Sequence, residues 1–461
     1  MGQTYIDNMG KTSCPDPAGR IAETLAGKKI LVLGYGREGA SSLRFLRGCL
    51  PGADLSVADA NPAVAETLSG LLPPEKIITG AGYLEAVPQY EVVLQSPGIC
   101  LKDVMPLFDN VRLTSQTDLF LSVFRSQCIG VTGTKGKSTT ASLIHHLLRE
   151  TGHETLFGGN IGLPLFELLP QMTPSATVVL ELSCHQLEFV RYSPHISVLL
   201  NLFEEHLDHY RDFMAYQRAK YNIAMFQEPD DYFIAPAADD RVAALRNLFP
   251  PKGRVRLFGG GTLPIPLQSD EFPLKGEHNR RNAEAALLAV QAADPTLTPE
   301  RCAAALHSFR SLPHRLEPVG CVNGIDFYND SISTIPQAAV AAVEAVGRVD
   351  TLLLGGMDRG IDYTPLLTLF RDSHVRNFLF TGAAGRRMMA LAEPQPEKKF
   401  LFFERFENMV DAAFQLTAPG SVCLLSPAAP SYDAFKNFEE RGNIFKKLVL
   451  LHLHQKPEDN A

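Results

Sequence analysis

The sequence predicts an α/β protein of three domains built on parallel sheets. Three observations point there. The chain has 461 residues, room for two to four domains at roughly 100–200 residues each. Short continuous apolar runs alternate throughout with amphipathic stretches, the pattern of strands buried on both faces by crossover helices. An apolar fraction of 45% and a charged fraction of 20% are those of an ordinary globular protein.

In chain order, "KILVLGYG" (29–36) reads as a buried strand and 39–49 as the helix after it. "LSVADA" (55–60) is the next strand, and "YEVVLQSPG" (90–98) is another that ends in a turn. A second block begins near residue 118. "CIGVTG" (128–133) is its first strand, and a helix follows from Lys137 to about Thr151. "ATVVLELS" (176–183), "ISVLLNL" (196–202) and "DYFIAP" (231–236) are strands, with a helix over 212–226. The Gly/Pro-rich stretch 249–276 reads as loops and turns, and helical patterns return at 280–293 and 299–309. "SLPHRLEP" (311–318) reads as a linker, because Pro313 and Pro318 both resist helix. The third block repeats the alternation: "IDFYND", helix 335–346, "DTLLLGG", helix 363–372, "VRNFLFTG", helix 383–392, "KFLFF", helix 406–416, "SVCLLSP" and a last helix over 433–448. The expected domains are therefore 1–117, 118–311 and 312–461, with frayed ends.

Composition removes several classes. A net charge of −8 leaves no basic field for nucleic acid or an anionic membrane. The longest apolar runs, such as "LVLLHL", fall far short of the ~20 residues that span a bilayer. The polar start, "MGQTYIDNMGKTSCPDPAGR", lacks the apolar core of a signal peptide. Cysteines 14, 49, 100, 128, 184, 302, 321 and 423 are scattered without a C-x-x-C pair. That argues against zinc and against a disulfide framework, and fits a reducing cytoplasm.

Two loops carry phosphate-binding character. "GVTGTKGKSTTAS" (130–142) lies between a strand and a helix. Such a loop wraps phosphates in backbone N–H groups and adds a lysine and a magnesium-binding hydroxyl, here Lys137 and Ser138. The general G-x-x-x-x-G-K spacing needs glycine at 131, where the chain has Val131, so the match rests on "TGTKGKS". The bland alternative is a glycine-rich turn with surface lysines. "GYGREG" (34–39) is a G-x-G-x-x-G loop after a strand, with Asp59 ~20 residues on, as in a dinucleotide site. A UDP-sugar also has a pyrophosphate, and this loop does not distinguish the two. Glu181 ends the strand "VVLELS". In open α/β sheets ligands gather at the carboxyl ends of strands, so this carboxylate is placed to hold magnesium. "NLFEEHLDHY" sets Glu204, Glu205, His206, Asp208 and His209 past another strand end. Lys220 sits in a helical pattern, where a lysine is ordinarily just solvated. His145, His146 and His185 read as structural, and His278 and His314 as satisfying local hydrogen bonds.

Together these residues resemble the Mur ligase family, and within it the branch that adds D-glutamate. The resemblance covers nearly the whole chain after about residue 25 and runs through motifs in order: "TGTKGKST", "GGNIG" (158–162), "ELSCHQLE" (181–188), "EEHLDHY", "YQRAK" (216–220), "GEHNRRNAEAA" (276–286), "LPHRLE" (312–317), "YNDSIST" (328–334), "LLGGMDRG" (353–360) and "LLSPAAPSYDAFKNFEERG" (424–442). In this family the loop is built on T-G-T-x-G-K-S/T, so Val131 is normal. The resemblance implies a Rossmann-like N-terminal domain for the UDP-sugar, a central P-loop ATPase-like domain, and a Rossmann-like C-terminal domain for the amino acid. It implies ATP-dependent addition of glutamate to UDP-N-acetylmuramoyl-L-alanine through an acyl phosphate. That is a step of peptidoglycan synthesis, and so of cell-wall biogenesis, cell shape and cell division, carried out in the cytoplasm by a monomer.

The residue roles below are what the resemblance implies. Gly34, Gly36 and Arg37 hold the UDP-sugar's pyrophosphate, Asp59, Ser96 and Gly98 lie toward the uracil, and Asn160 and His206 also reach this substrate. Gly133, Thr134, Lys135, Gly136, Lys137, Ser138 and Thr139 hold ATP, with Asn282 at the adenine and Arg315 and Asp330 at the phosphates and ribose. Ser138 and Glu181 ligate one Mg²⁺. His206 ligates a second with Lys220, whose amine carries a CO₂-derived carbamate. Lys137, Lys220 and His206 form the catalytic set. Thr334, Arg359, Ser431 and Phe438 meet glutamate. The D-glutamate pattern commonly reads D-S-K-A-T-N, whereas "DSISTIP" puts Ile332 at the lysine; Arg359 stands where another lysine is usual. Arginine keeps that charge and grips a carboxylate at two points. L-glutamate is the alternative acceptor. From other classes, a dinucleotide-dependent oxidoreductase would rest on "GYGREG" alone, and a P-loop regulatory module would hydrolyse ATP independently of any UDP-sugar. The diaminopimelate- or lysine-adding, alanine-adding and folylpolyglutamate branches are the other family readings.

Overall fold

The computed structural model describes residues 16–206, 208–260, 265, 274, 276–310 and 313–454. Three sheets are divided between two compact units, one of residues up to 272 with 278–309, the other of 273–277 with the chain from 310 onward. The first unit holds two sheets.

Sheet 1 contains β1 (Lys29–Leu33), β2 (Asp54–Asp59), β3 (Ile77–Thr79), β4 (Val92–Gln95) and β5 (Arg112–Thr114), all parallel in the order β3-β2-β1-β4-β5. The order reverses between β1 and β4, so the loops leaving these neighbours open a crevice at their carboxyl ends. Gly34 follows β1 and Ser96 follows β4, and both flank that crevice. Sheet 2 contains β6 (Cys128–Thr132), β7 (Thr155–Gly159), β8 (Thr177–Glu181), β9 (Ile196–Leu199), β10 (Tyr232–Pro236) and β11 (Arg254–Phe258), in the order β11-β10-β9-β6-β8-β7. Every residue of β6 is buried, and such an apolar side chain stabilises by roughly 1.5–3 kcal/mol. The phosphate loop therefore hangs from a fully buried strand, between β8, which ends in Glu181, and β9.

Local chemistry sets the ends of the helices around these sheets. Ser183 and Gln186 form a capping box, and Asp212 accepts from Ala215 N to start helix Phe213–Met225, which carries Lys220. Pro299 and Pro336 open their helices at the first position, where no N–H is needed.

Sheet 3, in the second unit, contains β12 (Glu317–Val322), β13 (Ile325–Asn329), β14 (Val349–Gly355), β15 (Asn377–Thr381), β16 (Lys399–Phe403) and β17 (Val422–Leu425), in the order β12-β13-β17-β14-β15-β16. It is parallel except for β12, which pairs antiparallel with β13. The last strand, β17, inserts between β13 and β14.

The alternation read from sequence is present, with corrections. Residues 254–258, expected as loop, form β11, whose "RVRLF" is a largely exposed edge strand with only Phe258 buried. Pro318, expected in a linker, lies in the outer strand β12, where a missing N–H is tolerated. Asp16–Glu23, expected to fray, is a helix that buries Ile21. The last helix is Phe438–His454, because Ala434 N and Phe435 N close a turn on Ser431 O before it begins. Cys49 departs from the expectation of unpaired cysteines: it is disulfide-bonded, whereas Cys100, Cys128, Cys184, Cys302, Cys321 and Cys423 are free. Expectations for residues 1–15, Leu207, most of 261–275, 311–312 and 455–461 fall outside the described residues. Among the described residues no helix is long and apolar enough to cross a membrane.

Candidate active site

The loop after β6 is shaped by what surrounds it. Gly133 has φ +153° and Gly136 φ +86°, and Gly136 caps helix Lys137–Glu150. Thr134 is buried and fixed twice: its N–H donates to Asn201 O at 3.0 Å, and its hydroxyl meets Tyr216 Oη at 2.9 Å. Lys135 N donates to Asn201 Oδ1 at 2.8 Å, while its ammonium pairs with Glu205. Ser138 is half-buried and Thr139 buried on the first turn of the helix. A Cβ on Gly136 would sit 2.5 Å from Asn282 Oδ1, so Asn282 lies against the phosphate loop. Gly136→Ala is expected to lower stability by about 1–2 kcal/mol through the left-handed backbone alone and to raise the KM for ATP by displacing Asn282. An unchanged melting temperature together with an unchanged KM would contradict this packing.

Two lysines converge on one carbonyl. Lys137 Nζ donates to Gly133 O and Thr134 O, both at 3.1 Å. Lys220 Nζ reaches the same Gly133 O at 2.9 Å and lies 4.9 Å from the centre of the Tyr216 ring. Lys220 is only 2% exposed. Burial first, and the charge of Lys137 second, push its amine down to about 7. Lys137 is also held below its ordinary range by burial, opposed by Glu181. Glu181 is 1% exposed. Its Oε1 accepts from Asn160 Nδ2 at 2.6 Å, and its Oε2 is buried with no partner among the described residues. His206, at φ +58°, is held below the usual imidazole range by desolvation, with Lys220 and Lys137 acting in the same direction. Its ring packs edge-on to His185 at 4.8 Å. Among the described residues no group of three or more His, Cys, Asp or Glu is set to hold a metal. A magnesium ion that keeps waters and takes substrate phosphates needs only one or two carboxylates. The unpartnered oxygen of Glu181, near Lys137, fits that requirement.

The first loop is built by close approach. Gly34 has φ +87°, and a Cβ on Gly39 would fall 1.9 Å from Gly34 O. Ser96 Oγ donates to that carbonyl at 2.7 Å, and Asp59 Oδ2 accepts from Tyr35 N at 2.6 Å. Gly36 and Gly98 are exposed at the loop's rim. Arg37 crosses to the second sheet, donating to Gly159 O, Asn160 O and Gly162 O at 2.9–3.2 Å.

The remaining expected residues lie on the second unit. Asp330 accepts from Leu316 N, Ser333 Oγ and Ser426 Oγ, and burial pushes its carboxyl up to about 6. Its oxygens are thus already engaged internally. Arg315 is half-buried beside it. Thr334 and Phe438 are half-buried, Arg359 is exposed, and Ser431 Oγ is buried with no partner among the described residues. Arg441, 2% exposed, ties their loops together by donating to Ser331 Oγ and O, Gly355 O and Ala429 O at 2.8–3.3 Å.

The model of the Mur ligase middle domain matches residues 131–263. A protein of Symbiobacterium thermophilum named UDP-N-acetylmuramoylalanine–D-glutamate ligase is 34% identical over 92% of this chain and 98% of its own length. The chain belongs to the Mur ligase family. A protein of Xanthomonas campestris pv. campestris named UDP-N-acetylmuramoyl-L-alanine–L-glutamate ligase is 35% identical, over 93% of this chain and 96% of its own. The fold is shared with the MurF ligase of Thermotoga maritima solved in complex with ADP, at TM-score 0.57 and 15% identity over 92% of this chain and 95% of that one.

Within this Mur ligase, the structure brings Lys137, Lys220, Glu181, Asn160 and Asn282 around the phosphate loop. One residue that organises the second unit carries no local signal: Arg441, since an arginine in a helical pattern ordinarily points to water. The His185 ring packs against His206, His209 and Tyr210, and burial pushes it down to about 4.

Proposed function

We propose that this Mur ligase joins glutamate, in its D form, to the carboxylate of UDP-N-acetylmuramoyl-L-alanine with cleavage of ATP. The observation that carries the reading is the convergence of Lys137 and Lys220 on Gly133 O beside the open oxygen of Glu181. A phosphate-binding loop alone does not need a second, fully buried lysine. An oxidoreductase leaves it without a task.

In the proposed reaction an oxygen of the substrate carboxylate attacks the γ-phosphorus of ATP, the bond to the β-phosphate oxygen breaks, and ADP leaves. The glutamate amine then attacks the acyl carbon, and the tetrahedral intermediate expels phosphate as the amine loses its proton. Phosphoryl transfer is carried by positioning and charge neutralisation rather than covalent catalysis. Lys137 supplies fixed positive charge from the loop. Magnesium, held by Ser138 and Glu181 and by His206 with a carbamylated Lys220, would supply further positive charge. A buried amine brought down to about 7 is largely neutral at neutral pH. Only the neutral amine adds to CO₂, forming the N–C bond and releasing a proton to leave an oxygen ligand suited to a hard cation. Gly34, Gly36, Arg37, Asp59, Ser96, Gly98 and Asn160 serve the UDP-sugar, and Thr334, Arg359, Ser431 and Phe438 the glutamate. One copy of the chain suffices for this chemistry. Its substrates place it in the cytoplasm, in peptidoglycan precursor synthesis.

The test is phosphate release with UDP-N-acetylmuramoyl-L-alanine, ATP and each glutamate enantiomer. D-glutamate is expected to give the higher kcat/KM. L-glutamate is the second reading, favoured by Ile332 in place of a lysine. One charged or hydrogen-bonded contact shifts such a balance by ~1–3 kcal/mol. A ratio above about ten for the L form, ~1.4 kcal/mol, would reverse the enantiomer and leave the ligase standing. Turnover with another amino acid and with neither glutamate would end the glutamate reading.

A further inference from the structure

Arg37 opens helix Arg37–Cys49 beside sheet 1, yet its guanidinium holds backbone of sheet 2. Nη1 donates to Gly162 O at 3.2 Å, and Nη2 donates to Gly159 O at 3.1 Å and Asn160 O at 2.9 Å. All three acceptors belong to one turn, residues 159–162, where the chain leaves β7. Gly159 has φ +107° and Gly162 φ +75°, so both ends of the turn are left-handed. Three carbonyl oxygens gathered on one side repel one another unless a group with several donors sits among them. A guanidinium offers five N–H groups in a fixed fork and suits that task as an ammonium does not.

The same turn is built on Glu181. Asn160 N donates to Glu181 O at 2.8 Å, and Asn160 Nδ2 donates to Glu181 Oε1 at 2.6 Å. A Cβ on Gly159 would fall 2.3 Å from Glu181 O, so the turn presses directly on the end of β8. Asn160 thus fixes the carboxyl plane and leaves Oε2 as the oxygen with no partner among the described residues. The base from which Arg37 reaches is firm. Phe45 of its helix packs on Phe166, with ring centres 4.2 Å apart. Its neighbour Glu38 accepts at 2.6 Å from Gln186 Nε2, in the capping box that follows β8. The start of this helix is therefore tied to the chain on both sides of Glu181, after β7 and after β8.

We propose that Arg37 is a positioning residue that acts through turn 159–162 and Asn160 to orient the Glu181 carboxylate for a divalent cation. This rests on the reading of Glu181 as a magnesium ligand. Hydrogen-bond partners of a ligating carboxylate are commonly worth 10–100-fold in metal affinity. Arg37 stands one step further out, so its loss falls at the lower end of that range. The task is separate from contact with the UDP-sugar, which would act on the sugar alone and leave the metal unmoved.

The experiment is a titration of Mn²⁺ into the protein with ADP and without UDP-sugar, read by water-proton relaxation, which tells protein-bound from ADP-bound Mn²⁺. Asn160→Ala and Arg37→Ala are each expected to raise the Kd of Mn²⁺ by about tenfold or more. Because the two act in series, the double variant is expected to bind no more weakly than Asn160→Ala alone, whereas independent sites would multiply their losses. Arg37→Lys keeps the charge without the fork and is expected to lie between wild type and Arg37→Ala; it carries the test if Arg37→Ala does not fold. An unchanged Kd in the Arg37 variants, or losses that multiply in the double variant, would overturn the proposal. Glu181→Gln separates the two readings. A Kd raised by Glu181→Gln but untouched in the Arg37 variants sinks the Arg37 role alone. A Kd that Glu181→Gln leaves unchanged removes the metal from Glu181, and the Arg37 role with it.

Discussion

Lys137→Ala abolishes phosphate release and leaves the fold intact: this is the first expected result. The charge that develops on the β- and γ-phosphate oxygens has to be met inside the loop, and a preorganised cation there is commonly worth ~3–4 kcal/mol, or roughly a 10²–10³-fold loss in kcat when removed. Lys137 is held in place by two backbone carbonyls, at 3.1 Å each, so it does not have to reorganise to act. The same bonds are its main structural attachments, and their loss unfolds nothing. A second consequence follows from its neighbour. Lys137 is one of the causes that hold the Lys220 amine low. Its removal lets Lys220 recover a proton and disfavours the carbamate, so the single variant weakens two functions and the two lysines will be non-additive. Lys135→Ala is the contrast: that ammonium is exposed and paired with Glu205, and its loss should cost only a few-fold. Retention of more than about a tenth of kcat by Lys137→Ala, a loss under ~1.4 kcal/mol, would remove the catalytic assignment of this loop.

How much of this was legible before any coordinates is decided by burial. The strands of sheets 1 to 3 announce themselves where both faces are covered, as in "CIGVTG", because a fully buried strand must be continuously apolar. The expectation failed where a strand is only thinly covered. "RVRLF" at the edge of sheet 2 leaves Arg254, Val255 and Leu257 exposed and interrupts its apolar run with two arginines, so it carries no such signal. Pro318 in β12 argued against a strand only because an outer strand's freedom to lack an N–H is a tertiary fact. The same division runs through the site. Gly133, Gly136 and Lys137 were legible because the backbone chemistry of a phosphate loop is local. The burial of Lys220 was not, since a lysine's environment is set by helix Phe213–Met225 packing under a loop some 80 residues earlier. Arg441 escaped for the same reason: the carbonyls of Gly355 and Ala429 that it meets come from the ends of strands distant in sequence.

Lys220→Ala is expected to be nearly inactive and to regain activity with added short-chain carboxylates. A plain ammonium at this position has little to do. It is 2% exposed, its hydrogen bond among the described residues goes to a carbonyl that Lys137 already serves, and burial, with the charge of Lys137 second, disfavours its protonated form. The sign of the pH effect is fixed by that shift. A lysine whose folded pKa is depressed binds fewer protons than the unfolded chain between about 7 and its ordinary 10.5, so its stabilising contribution is present at high pH and is lost as pH falls through 7. Relative to Lys220→Ala, wild type should therefore lose stability as pH drops from 8 to 6, measured as the difference between their unfolding free energies. A structural lysine predicts that slope as well, so it does not by itself support the carbamate. Rescue separates the two. Acetate or formate entering the space left by the side chain returns oxygens but no amine. Recovery of phosphate release with carboxylate, and not with an alkylamine, assigns the function to oxygen ligation. Recovery with the amine alone would assign it to positive charge. Independently, ¹³CO₂ should label wild type at a single lysine in the presence of Mg²⁺ and leave Lys220→Ala unlabelled, and a bare ammonium at Lys220 in a metal-bound complex at neutral pH would count against the carbamate directly.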